Sequence, residues 1–284
     1  MGGVTQSSPR RPPQEVGIPF IYALLENKQE ASYKKVFDIV IERARHRNIN
    51  VRLPRRVMSD FELAIINAAR NTFGADKVGL CLFHLGQSVF RHIQMEGLQQ
   101  QYSSEDDPTI RDAAHKMVSL AFVPPQDVQN HCQLIETEMP PDFLPVFNYF
   151  KATYVRGTPR GRGRGRRFTP PRYSPFMWCQ YNAVLDRTAR TNNISEGWHN
   201  RLQVVMAKDH PSFYNFLAEL KKEQADSEVM MRQLNLGQRI RKGQDPKRRR
   251  REDRIFSIVG EYDQYVANNE VSEYLKLIGH NLKL

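Results

Sequence analysis

The sequence predicts an α/β fold: a mixed sheet, a large all-helical insertion and a helical C-terminus. Three observations predict it. Between residues 18 and 96, short β-branched and aromatic runs alternate with stretches of helical period, the order of a sheet with covering helices. From 97 to 186 the strand-like runs stop, and helical patterns follow one another, broken by Pro124-Pro125 and Pro140-Pro141. After residue 253, apolar residues again recur at helical spacing.

Ile18 to Leu25 reads as a strand, a short apolar run ended by Glu26-Asn27-Lys28. Ser32 to His46 reads as a helix with Tyr33, Val36, Phe37, Val40 and Ile41 on one face. Arg55 to Met58 is a second strand running into Asp60. Ser59 or Asp60 is placed to cap a helix over Phe61–Thr72, which Gly74 stops. Lys77 to Phe83 is a third strand, and His84 opens a helix to about Glu96. Residues 108–122, 126–139, 141–155, 192–206 and 211–234 read as helices, as does 253–280 in one or two pieces. Arg156 to Arg172 is an Arg-Gly tract that cannot bury a core, and Pro246 to Arg251 reads as a basic linker.

The 284 residues carry a net charge of +11, and the location of that charge matters more than its size. Residues 156–172 hold seven arginines and no acid, while residues 239–254 hold nine Lys/Arg against three acids. These two segments account for +13, leaving −2 for the rest of the chain. Segments of this kind bind polyanions with strong salt dependence; the bland alternatives are a solvated loop and a nuclear import signal. Within them, Arg160, Arg162, Arg164, Arg166, Arg167, Lys247, Arg248, Arg249, Arg250 and Arg251 are the candidate nucleic-acid contacts. A mean hydropathy of −0.61 and the lack of a long apolar run argue against a membrane span. Three cysteines, Cys81, Cys132 and Cys179, make no disulfide framework and read as reduced thiols.

Two acids stand out. Asp60 follows a short strand, and Glu196 sits on the first turn of an amphipathic stretch. Carboxylates meeting at a sheet edge can hold Mg²⁺ or Mn²⁺ for phosphoryl transfer. Acids at strand ends and helix starts are also ordinary caps, and spacing alone does not separate the two readings.

The surrounding phrases narrow the choice. Pro19-Phe20-Ile21-Tyr22-Ala23-Leu24-Leu25-Glu26-Asn27-Lys28, then Tyr33 and Phe37, Met58-Ser59-Asp60-Phe61-Glu62, Cys81-Leu82-Phe83-His84 and finally Thr191-Asn192-Asn193-Ile194-Ser195-Glu196-Gly197-Trp198-His199-Asn200 occur in order. Together they resemble the transposase domain of Mutator-like elements (MULE), an RNase H-like DDE enzyme that cuts DNA at element ends and joins the 3′-hydroxyl to a target. The resemblance implies that Asp60 is the second catalytic acid and Glu196 the third, both metal ligands, with Mg²⁺ or Mn²⁺ as cofactor, DNA as partner and the nucleus as location. It implies a partial RNase H-like core over 18–96, the helical insertion over 97–186 with its Arg-Gly loop at 156–172, and a core return bearing the last acid over 187–234. A disordered tail (1–17), a basic linker (235–252) and C-terminal helices (253–284) complete that division. The family's first acid lies in an Asp-Gly strand upstream of the segment matching 18–28. Here Met1 to Gly17 holds Glu15 alone, so the expectation is an N-terminally truncated, inactive copy. The competing expectation is a non-catalytic nucleic-acid-binding protein acting through its basic segments, with RNA a further candidate at the Arg-Gly loop. Oligomerisation is compatible with either.

Cys81 and His84 are half of a zinc site at most, with Cys179 and His199 remote in sequence. Zinc is not expected; Cys81, His84 and His199 read instead as residues that orient the active site. Trp178 and Tyr181 read better as packing than as base-stacking platforms.

Overall fold

The computed structural model describes residues 17–19, 21–49, 53–161, 167–190, 212–238, 240 and 245–282. The chain divides into two compact units, Met1–Tyr22 with Ile194–Gly243, and Ala23–Asn193 with Gln244–Leu284.

The larger unit begins with α1 (Glu30–His46), laid on α2 (Leu63–Phe73) with Phe37 edge-on to Phe73 at 5.0 Å. Between them lies β1 (Val57–Ser59), which pairs in parallel with β2 (Val78–Leu80) in the register Val57↔Val78, Met58↔Gly79, Ser59↔Leu80. α2 is the crossover. Its Ile66, Ala68 and Ala69 are buried, and Gly74 ends it at φ 105°, a conformation that few side chains tolerate. β2 is buried throughout, as a parallel strand covered by helices must be. α3 (Leu82–Met95) follows at once.

The α/β character expected of this region is therefore present as a two-stranded parallel sheet in a mostly helical unit. Several boundaries differ from expectation, each for a physical reason. Residues 17–19 and 21–25 form no strand: Ile21, Leu24 and Leu25 are exposed, and a strand without a ladder partner gains no hydrogen bonds. Neither Ser59 nor Asp60 caps α2. Ser59 Oγ donates to the Asp60 carbonyl at 3.1 Å, and the helix starts at Leu63. Phe61 is drawn off instead, edge-on to Tyr173 (4.9 Å) and Tyr154 (5.7 Å), while its carbonyl accepts from the Tyr173 hydroxyl at 2.6 Å. β2 stops at Leu80 rather than Phe83 because β1 ends at Ser59. The Cys81 amide takes the last ladder bond, to the Ser59 carbonyl at 2.9 Å, and Cys81 is already the N-cap of α3.

The insertion is helical: α4 (Gln99–Ser103), α5 (Thr109–Ser119), α6 (Val128–Glu136) and α7 (Leu144–Phe150), the last continuing as a π turn over Lys151–Val155. The Arg-Gly tract is not wholly irregular. Its ends pair as a short antiparallel hairpin, β3 (Pro159–Arg160) against β4 (Arg167–Phe168). Two short helices, α8 (Pro175–Trp178) and α9 (Tyr181–Leu185), escaped the periodicity.

α10 (Phe213–Asn235), capped by Ser212, belongs to the smaller unit. Returning to the larger one, the basic run expected as a linker is the start of a helix, α11 (Pro246–Gly260). Asp245 accepts from the Lys247 amide at 3.1 Å, Pro246 occupies the first turn, and arginine is a good helix former. α12 (Tyr262–Ala267) and α13 (Val271–His280) close the chain. Ile255, Val259, Tyr262, Tyr274 and Ile278 join the same buried cluster as Ile66, Leu80, Phe122 and Trp178, so the C-terminal helices belong to the core of the larger unit. Among the described residues, no helix is long and apolar enough to cross a membrane.

Candidate nucleic-acid cleft

The end of β1 opens into a cleft of about 780 Å³. Its floor is the β1–α2 turn, Asp60 to Leu63. One wall is α3, through His84, Gln87, Ser88 and Arg91. The other walls are the end of α7, through Tyr149, Ala152, Thr153 and Tyr154, and the base of the Arg-Gly hairpin, through Thr158, Thr169, Pro170, Arg172 and Tyr173.

Each wall is held by its own contacts. Tyr154 and Tyr149 both share hydrogen bonds with Ser88 Oγ, at 2.8 and 3.1 Å, which ties α7 to α3. Tyr154 and Tyr173 stack at 5.7 Å. Burial raises the pKa of both, so their hydroxyls stay protonated. The Trp178 indole donates to the Tyr154 and Tyr173 carbonyls at 3.1 Å each; fully buried, it packs. The hairpin base is fastened by Thr158 and Thr169, whose hydroxyls lie 2.6 Å apart and whose backbones bond at 2.9 Å.

Asp60 is exposed at the mouth of the cleft. Glu62 is engaged: Tyr33 donates to it at 2.7 Å and Lys28 lies 3.8 Å away. Burial, that bond and the charges of Glu62 and Asp60 push the Tyr33 hydroxyl up to about 12, which keeps it a donor. Arg91 and Arg172 are exposed, and among the described residues neither meets a carboxylate. Arg91 is steadied by Gln87 (3.0 Å), and Arg172 lies over the Tyr173 ring (5.5 Å).

Of the residues singled out from sequence, Asp60 and His84 line the same cleft. Cys81 is buried behind them at the α3 N-terminus. Glu196 and His199 lie outside the described residues, as do Arg162, Arg164 and Arg166. Arg160 and Arg167 are register partners in the hairpin that walls the cleft. Lys247, Arg248, Arg249 and Arg250 are exposed on the first turns of α11, and Arg251 is half-buried. The acids of that helix are spent locally, Glu252 on Arg190 and Asp253 on Arg187 (3.1 Å). Cys179 donates to the Val123 carbonyl, and burial raises its thiol to about 11. Among the described residues, no group of three His, Cys, Asp or Glu side chains is placed to hold a metal ion. Asp60 has the hard oxygen donors that Mg²⁺ or Mn²⁺ prefers, but the described residues give it too few partners for a complete site.

Sequence reasoning missed Arg91, Arg172, Tyr149 and Gln180. Gln180 is fully buried. Its amide donates to the Leu80 and Trp178 carbonyls at 3.0 Å, and its oxygen accepts from Arg56 at 3.0 Å. The sheet and the segment after the hairpin meet there.

No curated protein and no solved structure matches the chain. Residues 13–88 match the family model described as the MULE transposase domain. That segment contains β1, β2, Asp60, Cys81 and His84, and a transposase domain implies dealings with DNA. Residues 13–88 are thus similar to a MULE transposase domain, and they supply the floor of the cleft and His84, Gln87 and Ser88 of its α3 wall.

Proposed function

We propose that the protein is a MULE transposase derivative that holds DNA on the Asp60 cleft and on the basic turns of α11, without cutting it through these 284 residues alone. The observation that carries this reading is the position of Asp60. It stands at the end of a parallel strand inside the matched segment, at the mouth of a cleft lined by Arg91 and Arg172. A carboxylate in that place fits an RNase H-like core. The carbonyl of Arg190 accepts from the Leu82 amide at 3.0 Å, beside the end of β2. Mg²⁺ or Mn²⁺, when bound, would polarise a phosphodiester. The described residues offer Asp60 as a ligand and commit Glu62 elsewhere, so no cleavage step is assigned to them.

The basic turns of α11 supply sequence-independent phosphate contacts, released as salt rises. The same Lys247–Arg251 run is a nuclear import signal in this reading.

The test is duplex binding and Mg²⁺- or Mn²⁺-dependent nicking, measured on the intact chain and on Asp60→Asn. Salt-sensitive binding with no nicking in either protein supports the reading. Nicking that disappears in Asp60→Asn replaces it with an active nuclease, and no binding at low salt removes it.

A further inference from the structure

We propose that the Asp60 cleft is built for a single unstacked nucleotide of DNA, its phosphate taken by Arg91 and Arg172 and its base or sugar set against Tyr149. This rests on the DNA-binding reading above and adds the form of DNA that the cleft accepts.

Size comes first. A cleft of about 780 Å³ lies in the range that encloses one small ligand. Duplex DNA shows proteins only base edges and backbone, so a nucleotide must leave the stack, or come from a single strand, to enter such a space.

Charge comes second. Arg91 and Arg172 stand on different walls, α3 and the segment that follows the hairpin, and both line the cleft. Each is positioned by a contact that leaves donors over, Gln87 in one case and the Tyr173 ring in the other. Guanidinium groups matched to a phosphate make strong, paired hydrogen bonds. Glu62 is already bound by Tyr33 and Lys28, so Asp60 is the acid left to repel a phosphate, and it sits at the mouth.

The third point is the aromatic wall. Tyr149 is half-buried, and its ring lies flat on His92 at 3.8 Å, 12° from parallel. One face of the ring is taken by His92, and what remains exposed of this fixed ring offers a base or sugar an aromatic contact at little entropic cost.

The experiment uses the full chain and two labelled DNAs of one mixed sequence, a single strand of about 12 nucleotides and its blunt duplex. Binding is read by fluorescence anisotropy at roughly 50 mM salt. The variant is Arg91→Gln with Arg172→Gln; both side chains are exposed, so the fold survives, and an unchanged melting temperature checks that. The wild type binds the single strand at least as tightly as the duplex. The double variant loses about tenfold or more on the single strand and less than about twofold on the duplex, as expected for charged hydrogen bonds lost from one site. Arg→Lys at both positions recovers part of the loss. Equal losses on both DNAs, or none on the single strand, overturn the cleft assignment and leave the DNA-binding reading standing. A wild type that binds neither DNA overturns both.

Discussion

The side-chain amide of Gln180 donates to the Leu80 carbonyl at 3.0 Å, joining the segment after the Arg-Gly hairpin to the end of β2. The same side chain serves the Trp178 carbonyl and Arg56, and its own backbone amide donates to the Ala121 carbonyl at 2.6 Å. Replacing Gln180 by Leu leaves two buried carbonyls and a guanidinium without these partners. Each such loss costs about 1–3 kcal/mol, so urea unfolding should show a destabilisation of about 3 kcal/mol or more. A loss below about 0.5 kcal/mol, the level of an indifferent surface change, contradicts the role given to Gln180.

Gly157 is where the hairpin base makes its closest backbone approach. It is buried at φ 84°, and a Cβ there would lie 1.7 Å from the Thr169 carbonyl oxygen. Gly157→Ala should therefore splay the hairpin base rather than merely stiffen it. The expected cost is about 2 kcal/mol or more, with faster trypsin cleavage in the Arg-Gly tract. Unchanged cleavage and melting contradict the close approach.

Acidification should loosen the C-terminal helices. His115 donates through Nδ1 to the Gly279 carbonyl of α13 at 3.0 Å. His131 donates to the Tyr262 hydroxyl of α12 at 2.6 Å, and Tyr262 donates onward to Asp127 at 2.9 Å. Burial lowers the pKa of both histidines. It is opposed at His115 by the Gly279 carbonyl and Asp112, and at His131 by Asp127. Each histidine is thus held neutral in the fold while the unfolded chain takes up a proton near its usual pKa of about 6.5. The unfolded state binds more protons, so stability is complete above that pH and declines as pH falls below it. The melting temperature should drop between about pH 7 and about pH 5, less steeply in a His115→Gln, His131→Gln variant. A flat profile in the wild type contradicts this account.

Arg190 and Glu252 form an ion pair in which the arginine is largely buried. Burial lowers the Arg190 pKa, and Glu252 opposes that shift. Glu252→Gln leaves a buried guanidinium facing Arg248 and Arg251. Glu252 is itself about one-third exposed, which screens the pair, so the expected cost is about 1–2 kcal/mol. Amide exchange should rise in α11 before it rises in β2. Uniform exchange across both elements contradicts a local clamp.

The strand–helix–strand order from 57 to 95 was legible because period alone separates β1, α2, β2 and α3. Where expectation and structure differ, the cause is a distant partner in one case and a masked local signal in another. Phe61 was read as the first residue of a helix, yet it packs on Tyr154 and Tyr173, about a hundred positions along the chain. The start of α11 was hidden by charge, although Asp245 followed by Pro246 is a readable cap. Asp60 could be read from its phrase. Arg91 and Arg172 could not, since an exposed arginine on a helix or loop looks like a solubilising residue until Tyr149 and the hairpin arrive beside it.

The most direct measurement is the affinity of the intact chain for a duplex of mixed sequence, titrated between about 50 and 200 mM salt. A phosphate-gripping protein should lose affinity steeply, with a slope of log K against log salt near −3 or steeper; Lys247→Gln, Arg249→Gln and Arg250→Gln together should reduce that slope by about 3. Binding that ignores salt, or no binding at the lowest salt, would contradict a DNA-holding transposase derivative.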